Sequence, residues 1–342
     1  MKLLLTLDYE LFNGRVCGTV ENCLIKPMTE LKKVLDCYGF KATIFVDTVF
    51  INRLQELSLE HLELRSEYNL IVSQLKELSK NGHDLQLHIH PNWLYATYHN
   101  GEWSSIMDDY KLSDMNDSDV KRMFREGVEL LENITGRLNS IIAYRAGAYC
   151  IQTYPLFSAI FKQFGIRVDS SVFRYQKYIT EKWQHYDYTK IPKEYCYLFS
   201  NDVCVKTETG PFMEVSIPTY YMSKIEMIRQ KLFLRRYKKE SLKRWGDGTG
   251  SSNINNSRFA LLIKSFLVRF SPSRVTASID SSNGFFLKRL FKKDYKTGKE
   301  YMLIMGHPKN FTPYSLQCLE ELLHDNKEYV EFATISEFYN CR

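Results

Sequence analysis

Apolar and polar positions along the chain switch repeatedly between two periods. Lys2–Leu7 is an almost continuous apolar run, the pattern of a buried first strand, and it delivers Asp8, Tyr9 and Glu10 at its end. Pro27 then opens a helix with Met28, Leu31, Val34 and Leu35 on one face, closing near Gly39. Lys41–Asp47 reads as a second strand, and a helix follows over 66–80 with Leu70, Ile71, Leu75 and Leu78 on its apolar face. In Asn81–Trp93 the period is two: Asp84, Gln86, His88 and His90 face one way, and Leu85, Leu87 and Ile89 the other, until Pro91 blocks further pairing. Asp117 or Ser118 caps the next helix, which carries Val120, Met123, Phe124, Val128 and Leu131 and stops at Gly136. Strands are predicted at Ser140–Tyr144, Ile166–Val168, Phe212–Ser216, Tyr301–Met305 and Tyr329–Thr334, with helices from Pro155 to Gly165, from Pro313 to His324 and at the C-terminus. Regular alternation of this kind predicts an α/β chain built on a parallel sheet or barrel.

Polar residues gather at the ends of these strands: Asp8 and Glu10, His88 and His90, Arg145, Asp169, and His307. In barrels and open α/β sheets alike, the C-terminal strand edge is where ligands bind, so a functional site is expected there. Two imidazoles two residues apart on a strand are close enough to share one divalent metal, although the same spacing also suits a solvent-facing polar stripe. Asp8 and Glu10 share a face and would repel unless a cation or a shared proton relieves them; an aspartate capping the following turn is the simpler alternative.

Composition narrows the class. The 342 residues are 44% hydrophobic and 25% charged, ordinary for a soluble globular protein and long enough for one large domain with insertions, or two. The eight cysteines are scattered without a Cys-x-x-Cys pair, which argues against a structural zinc cluster and fits a reducing compartment. The N-terminal apolar run is too short for a signal peptide and no stretch reaches spanning length, so a cytoplasmic protein is expected. Charge is uneven: residues 222–300 hold 19 Lys/Arg and 6 Asp/Glu, a net of +13, whereas the remainder nets −7. Within that segment, Ile228–Trp245 and Arg258–Phe270 interleave apolar and basic residues. Such stretches suit an anionic membrane surface, here over 222–270, or an acidic glycan, but also a solvated helical insertion over one end of a barrel. Gly246–Ser252 is turn-rich and lacks the ending of a phosphate-binding loop, and no nucleic-acid-binding motif is present.

Taken in order, the motifs resemble the polysaccharide deacetylases of the NodB-homology family. The resemblance rests on Thr6-Leu7-Asp8-Tyr9-Glu10, Ala42-Thr43-Ile44-Phe45-Val46, Gly82-His83-Asp84-Leu85-Gln86-Leu87-His88, Tyr144-Arg145-Ala146-Gly147-Ala148-Tyr149, Gly165-Ile166-Arg167-Val168-Asp169-Ser170-Ser171 and Ile304-Met305-Gly306-His307, covering about residues 3–220 and 300–340. Three departures stand out: the usual Asp-Asp is Asp-Tyr-Glu, the usual second metal histidine is Asn92 with His90 two residues earlier, and Arg-Ala-Gly-Ala replaces Arg-Pro-Pro. The resemblance implies a single distorted (β/α) barrel over 1–342 with a basic, mostly helical insertion at 222–300. It also implies a zinc or other divalent metal site that includes Glu10 and His88, with Asp8 as general base and Arg145 orienting it; strand geometry favours His90 as the third ligand, the alternative being weak ligation by Asn92. His307 would protonate the departing amine, a backbone N–H near Gly147–Tyr149 would meet the oxyanion, and Asp169 would tune Arg145 or His307.

The activity so implied is removal of an N-acetyl group from a carbohydrate, and the Asp-x-Glu motif suggests a surface-polysaccharide or O-antigen precursor as substrate. Two rivals remain: a hydrolase of the same fold acting on another amide such as a cyclic ureide, and a glycan-binding protein whose metal site has decayed at Asn92. Trp93, Tyr95, Tyr98 and Trp103 suit either a sugar subsite or the core, with the core favoured. His83 and Asp84 read as structural, and His61, His99, His185 and His324 have no partner visible in sequence.

Overall fold

The computed structural model describes residues 1–14, 16–105, 111–152, 155–179, 185–249 and 273–342. Its centre is a curled half-barrel of strands β1 (Lys2–Tyr9), β2 (Thr43–Asp47), β3 (Asp84–Ile89), β4 (Ala143–Ala146), β5 (Val168–Asp169), β6 (Cys196–Phe199), β7 (Phe212–Val215), β8 (Tyr301–Gly306) and β9 (Glu331–Phe332). Their order is β6-β7-β5-β4-β3-β2-β1-β8, with β9 also paired to β1. All neighbours are parallel except β6 and β7, a hairpin whose second strand enters the sheet beside β5. Where the curled edges face each other, the Tyr301 hydroxyl donates to the Tyr195 carbonyl at 2.7 Å.

Two apolar layers follow from the period-two alternation. Leu4, Phe45, Ala143, Val168, Met213, Val215, Leu303 and Met305 fill the concave interior. The alternate residues, among them Leu3, Leu5, Leu7, Ile44, Val46, Leu85, Leu87 and Ile89, pack outward against helices α1 (Lys26–Tyr38), α2 (Thr48–Leu57), α3 (Leu62–Lys80), α4 (Asp117–Thr135) and α5 (Pro155–Phe164). Helix α1 ends at Gly39 in the left-handed conformation (φ 64°) that glycine adopts without a Cβ clash. Strands such as β1, β2 and β8 are buried on both faces, which is why their sequences read as largely apolar runs.

Several boundaries differ from the sequence expectation. Helix α2 was not anticipated, because Thr48–Leu57 continues directly from β2 with no intervening turn signal. Helix α3 begins at Leu62, ahead of the expected start, and α4 is capped by Asn116, whose side chain accepts from the Asp119 N–H, rather than by Asp117 or Ser118. Arg145 lies inside β4, not beyond it.

The basic stretch is helical over α6 (Lys224–Leu234) and over α7 (Leu287–Lys296). Its later part is woven into the barrel. Ser273–Thr276 pairs antiparallel with Thr219–Met222, Ser278 bridges to Met305, and Ala277, Ile279, Leu287 and Leu290 are buried. Arg258–Phe270 and the end of the Gly246–Ser252 loop lie outside the described residues. Helices α8 (Pro313–Asn326) and α9 (Ile335–Asn340) complete the chain, and no helix among the described residues is long and apolar enough to cross a membrane.

Candidate metal centre and its flanking acid and base

Strand alternation aims the polar ends of β1, β2, β3 and β4 at one point inside the barrel. Glu10 follows β1, and His88 and His90 come from the end of β3. One donor atom from each of the three lies within 4.8 Å of the others, and all three residues are buried. Glu10 Oε2 lies 3.3 Å from His88 Nε2 and also meets His90 Nε2. Two imidazoles and one carboxylate are the donor set of catalytic zinc sites, which keep a further position open.

The tautomers suit ligation through Nε2. His88 Nδ1–H donates to the Arg145 carbonyl at 2.7 Å, which leaves Nε2 with a free lone pair. The Asn13 amide reaches His90 Nδ1 at 3.1 Å, and Asn92 reaches Asn13 at 3.3 Å. Ligation by His90 Nε2 requires Nδ1 to carry the proton, so the Asn13 amide must present its oxygen there. Asn92 meets Asn13, and so braces the amide beside His90. The His90 ring also presses on Gly147, where a Cβ would come within 2.5 Å of the Ile89 carbonyl oxygen and 2.9 Å of His90 Nδ1. That close approach explains the glycine of the Arg-Ala-Gly-Ala stretch. From β2, Asp47 Oδ1 accepts from the His90 backbone N–H at 3.3 Å, a support that no local pattern announces.

Charge around the cluster is nearly closed by pairs. Burial alone would raise the Glu10 carboxyl, but Lys309 and then the two histidines outweigh it and hold Glu10 well below the usual carboxylate range. Lys309 Nζ donates to Glu10 Oε1 at 2.8 Å and to the Leu11 carbonyl at 2.6 Å. Nothing in the sequence singled Lys309 out except its place two residues after His307.

Asp8, two residues before Glu10 and on the same face, is gripped by Arg145. The guanidinium donates to Asp8 Oδ1 (2.5 Å), the Ser170 carbonyl (2.9 Å), and the hydroxyls of Thr6 and Ser170 (both 3.0 Å), with its flat face 4.2 Å from the centre of the Phe45 ring. Burial pushes the Asp8 carboxyl up; Arg145, His307 and His88 together more than offset this, so Asp8 stays below its ordinary value and is ionised. Arg145 has no exposed surface, and so acts as a positioning residue for Asp8.

His307 Nε2 lies 3.5 Å from Asp8 Oδ2, and its Nδ1 meets Asp280 Oδ2 at 2.7 Å. Asp280 also accepts from the His307 backbone N–H at 2.7 Å. Burial would lower the imidazole, but Asp280 first, then Asp8 and Glu10, raise it to about 9. At neutral pH His307 therefore carries a proton it can donate, and a rate that depends on that proton falls as pH rises through about 9. Asp280→Asn removes the largest raising influence. It is expected to move that alkaline limb toward acid, measured in the pH profile of kcat; an unmoved limb would separate Asp280 from the ionisation of His307.

Asp169 does not join this group. In register, Asp169 pairs with Tyr144 and Glu214, while the concave face belongs to their neighbours Val168, Arg145, Met213 and Val215. Its carboxylate accepts from the Ser171 hydroxyl (2.7 Å) and backbone N–H (3.2 Å), and feels the Arg145 charge without being one of the groups that guanidinium donates to. The partner expected of Asp169 is Asp280 for His307, and Ser170 for Arg145. Asp169 and Glu214 instead form a buried carboxyl pair. Burial, then the Asp169 charge, raises Glu214 well above the usual range, so the pair retains a proton. A folded-state pKa above the unfolded value means that this carboxyl's own contribution to stability is full below about pH 4.5 and declines as pH rises toward the raised value. Glu214→Gln is expected to flatten that decline and raise the melting temperature at neutral and alkaline pH, read in thermal scans across pH.

Of the remaining expectations, Trp93 belongs to the core with Tyr98 and Trp103 packed against it, whereas Tyr95 is exposed. Trp93 is fully buried against Phe50 at 5.0 Å and Trp103 at 5.7 Å, and Tyr98 packs on Trp103 at 5.2 Å. The ring beside the carboxylates is Tyr149, whose hydroxyl is pushed well up by burial and by the Asp8 charge. Ala148 and Tyr149 both have positive φ (49° and 63°), a strained conformation for residues with a Cβ, held at the mouth of the site. The turn over Gly147–Tyr149 lies against His90 through Gly147.

The fold is shared with solved structures although the sequences have diverged far. No family model matches the chain, and no curated protein sequence matches it. A structure from Mycobacterium smegmatis assigned as a polysaccharide deacetylase superposes with a TM-score of 0.51 at 12% identity, covering 99% of this chain and 89% of that one. The Puue allantoinase gives a TM-score of 0.51 at 11% identity with the same coverages. The 4-alpha-glucanotransferase from Thermococcus litoralis gives 0.50 at 11% identity, with this chain spanning 38% of it. These matches establish the architecture as the curled parallel half-barrel of NodB-type deacetylases. The donor set and its supporting hydrogen bonds fit a divalent ion independently of them.

Proposed function

We propose that the chain is a metal-dependent hydrolase that removes an N-acetyl group from a carbohydrate, a surface-polysaccharide or O-antigen precursor handled in the cytoplasm. The observation that carries this reading is the convergence at one strand edge of three components: Glu10, His88 and His90 as a donor triad, Asp8 held ionised by Arg145, and His307 held protonated by Asp280. A divalent ion in the triad, zinc by donor preference, would polarise the amide carbonyl and lower the pKa of bound water toward about 7. Asp8 takes the proton from the attacking water, and its pairing with Arg145 keeps it ready to do so. The new carbon–oxygen bond forms as the carbonyl electrons move to oxygen, opposite the backbone N–H groups of Gly147–Tyr149. The carbon–nitrogen bond then breaks with the His307 proton passing to the amine, giving acetate and a free amino sugar. Buried pairing on every side keeps these groups from titrating into unproductive states.

A cyclic ureide is the alternative substrate class, since the allantoinase shares the fold. Two measurements test the reading together: metal content of the purified protein, and acetate release from N-acetylated sugar nucleotides before and after chelation. Acetate released only with metal present is the expected result. Metal-dependent ring opening without acetate release would favour the ureide, and protein that neither holds metal nor turns over would discard both.

A further inference from the structure

Helix α6 is packed inside out. Its start is fixed by a reciprocal cap: Ser223 Oγ accepts from the Glu226 N–H, and the Glu226 carboxylate accepts from the Ser223 N–H at 2.7 Å. The face turned to the protein carries Glu226, paired with Arg289, and Gln230, which donates to the Ser282 carbonyl at 2.7 Å, with Phe233 against Phe285. The face turned outward carries the aliphatic residues: Ile225 is 63%, Ile228 47% and Leu232 54% exposed. At about 100° per residue these three fall within roughly 60° of arc. Arg229 lies on one side of that stripe, and Lys224, Lys231 and Arg235 on the other. Beside α6, Arg289, Lys292 and Lys293 form one strip of α7, with Arg289 tied to Glu226.

Three large aliphatic side chains aligned in water, with long cationic side chains flanking them, are disfavoured unless the stripe is covered. We propose that α6 docks on an anionic lipid surface, its aliphatic stripe entering the headgroup boundary and its flanking Lys/Arg side chains reaching the lipid phosphates. Charge complementarity selects that occupant: the only acidic residue of α6 is Glu226, which faces the protein and is paired. Amphipathic helices bind in this way through apolar burial combined with attraction to anionic headgroups. On the inner side of α6, Gln230 holds Ser282, two residues after the Asp280 that grips His307. The docking proposal stands on α6 alone and does not depend on the hydrolase reading.

Co-sedimentation of the full chain with vesicles tests it. Binding is expected to vesicles of phosphatidylcholine mixed with phosphatidylglycerol, to weaken with added salt, and to be slight with phosphatidylcholine alone. Ile225→Ser/Ile228→Ser/Leu232→Ser should lower partitioning about tenfold or more. Because the three side chains point outward, the circular dichroism spectrum and melting temperature should not change. Arg229→Gln/Lys231→Gln/Arg235→Gln should weaken binding and flatten its salt dependence while leaving the apolar stripe intact. Wild-type protein that ignores anionic vesicles would overturn the proposal. So would binding that survives the three serines, or serines that abolish a dimer in solution without changing vesicle binding, since the stripe would then be an interface between copies of the chain.

Discussion

His90→Ala is expected to weaken divalent-metal binding about 100- to 1,000-fold, the share of one ligand in the roughly 10–16 kcal/mol that a four-ligand zinc site supplies. Asn92→Ala is expected to weaken it only about 10- to 100-fold, as changes to groups that support a ligand do. The contrast follows from geometry. His90 Nε2 joins Glu10 and His88 around one point, whereas Asn92 touches Asn13 and reaches the cluster only through it. Titration of metal-free protein with zinc under competition from a chelator measures both. Equal losses in the two variants, or the larger loss at Asn92, would mean that the strand supplies its second ligand at the other position. Metal affinity of the wild type should fall as pH falls, because ligation competes with protonation of His88, whose pKa burial would lower but the Glu10 hydrogen bond raises.

Arg145→Met should cost the fold roughly 3–5 kcal/mol, the usual result of removing one partner from a buried ion pair. The guanidinium has no exposed surface and satisfies Asp8, Thr6 and two oxygens of Ser170 at once, so its loss leaves a buried carboxylate uncompensated and takes a donor from the Ser170 carbonyl. Activity should fall about 100- to 10,000-fold, because burial is the largest influence on Asp8 and acts upward once Arg145 is gone. The double variant Asp8→Asn/Arg145→Met separates the two effects. It should regain part of the stability, since no charge is left unpaired, and none of the activity. Urea denaturation and acetate release read the two outcomes, and an Arg145→Met protein as stable as the wild type would contradict the buried pairing.

Much of the site was legible because local period and residue type suffice to write it. Asp8, Glu10, His88, His90 and Arg145 sit at the ends of strands whose apolar runs announce them, and period two assigns each to a face. The same rule, applied with the true register, is what removes Asp169. Its sequence position at a strand end resembled the others, but pairing with Tyr144 and Glu214 turns its side chain to the opposite face. Asp280 was invisible for another reason. It lies in a basic stretch with no strand signal of its own and meets His307 only through the bridge between Ser278 and Met305.

The sequence alone determined the alternation of strands and helices, the two faces of β3, and the presence of acid, base and imidazole at one sheet edge, because each depends on periodicity over a few residues. Tertiary structure decided which of those groups meet. It brought His90 to Glu10 and His88, gave His307 to Asp280, placed Lys309 on Glu10 and turned the aliphatic face of α6 outward. These pairings depend on register, strand curvature and contacts between residues as far as 299 positions apart, and no local pattern carries that information.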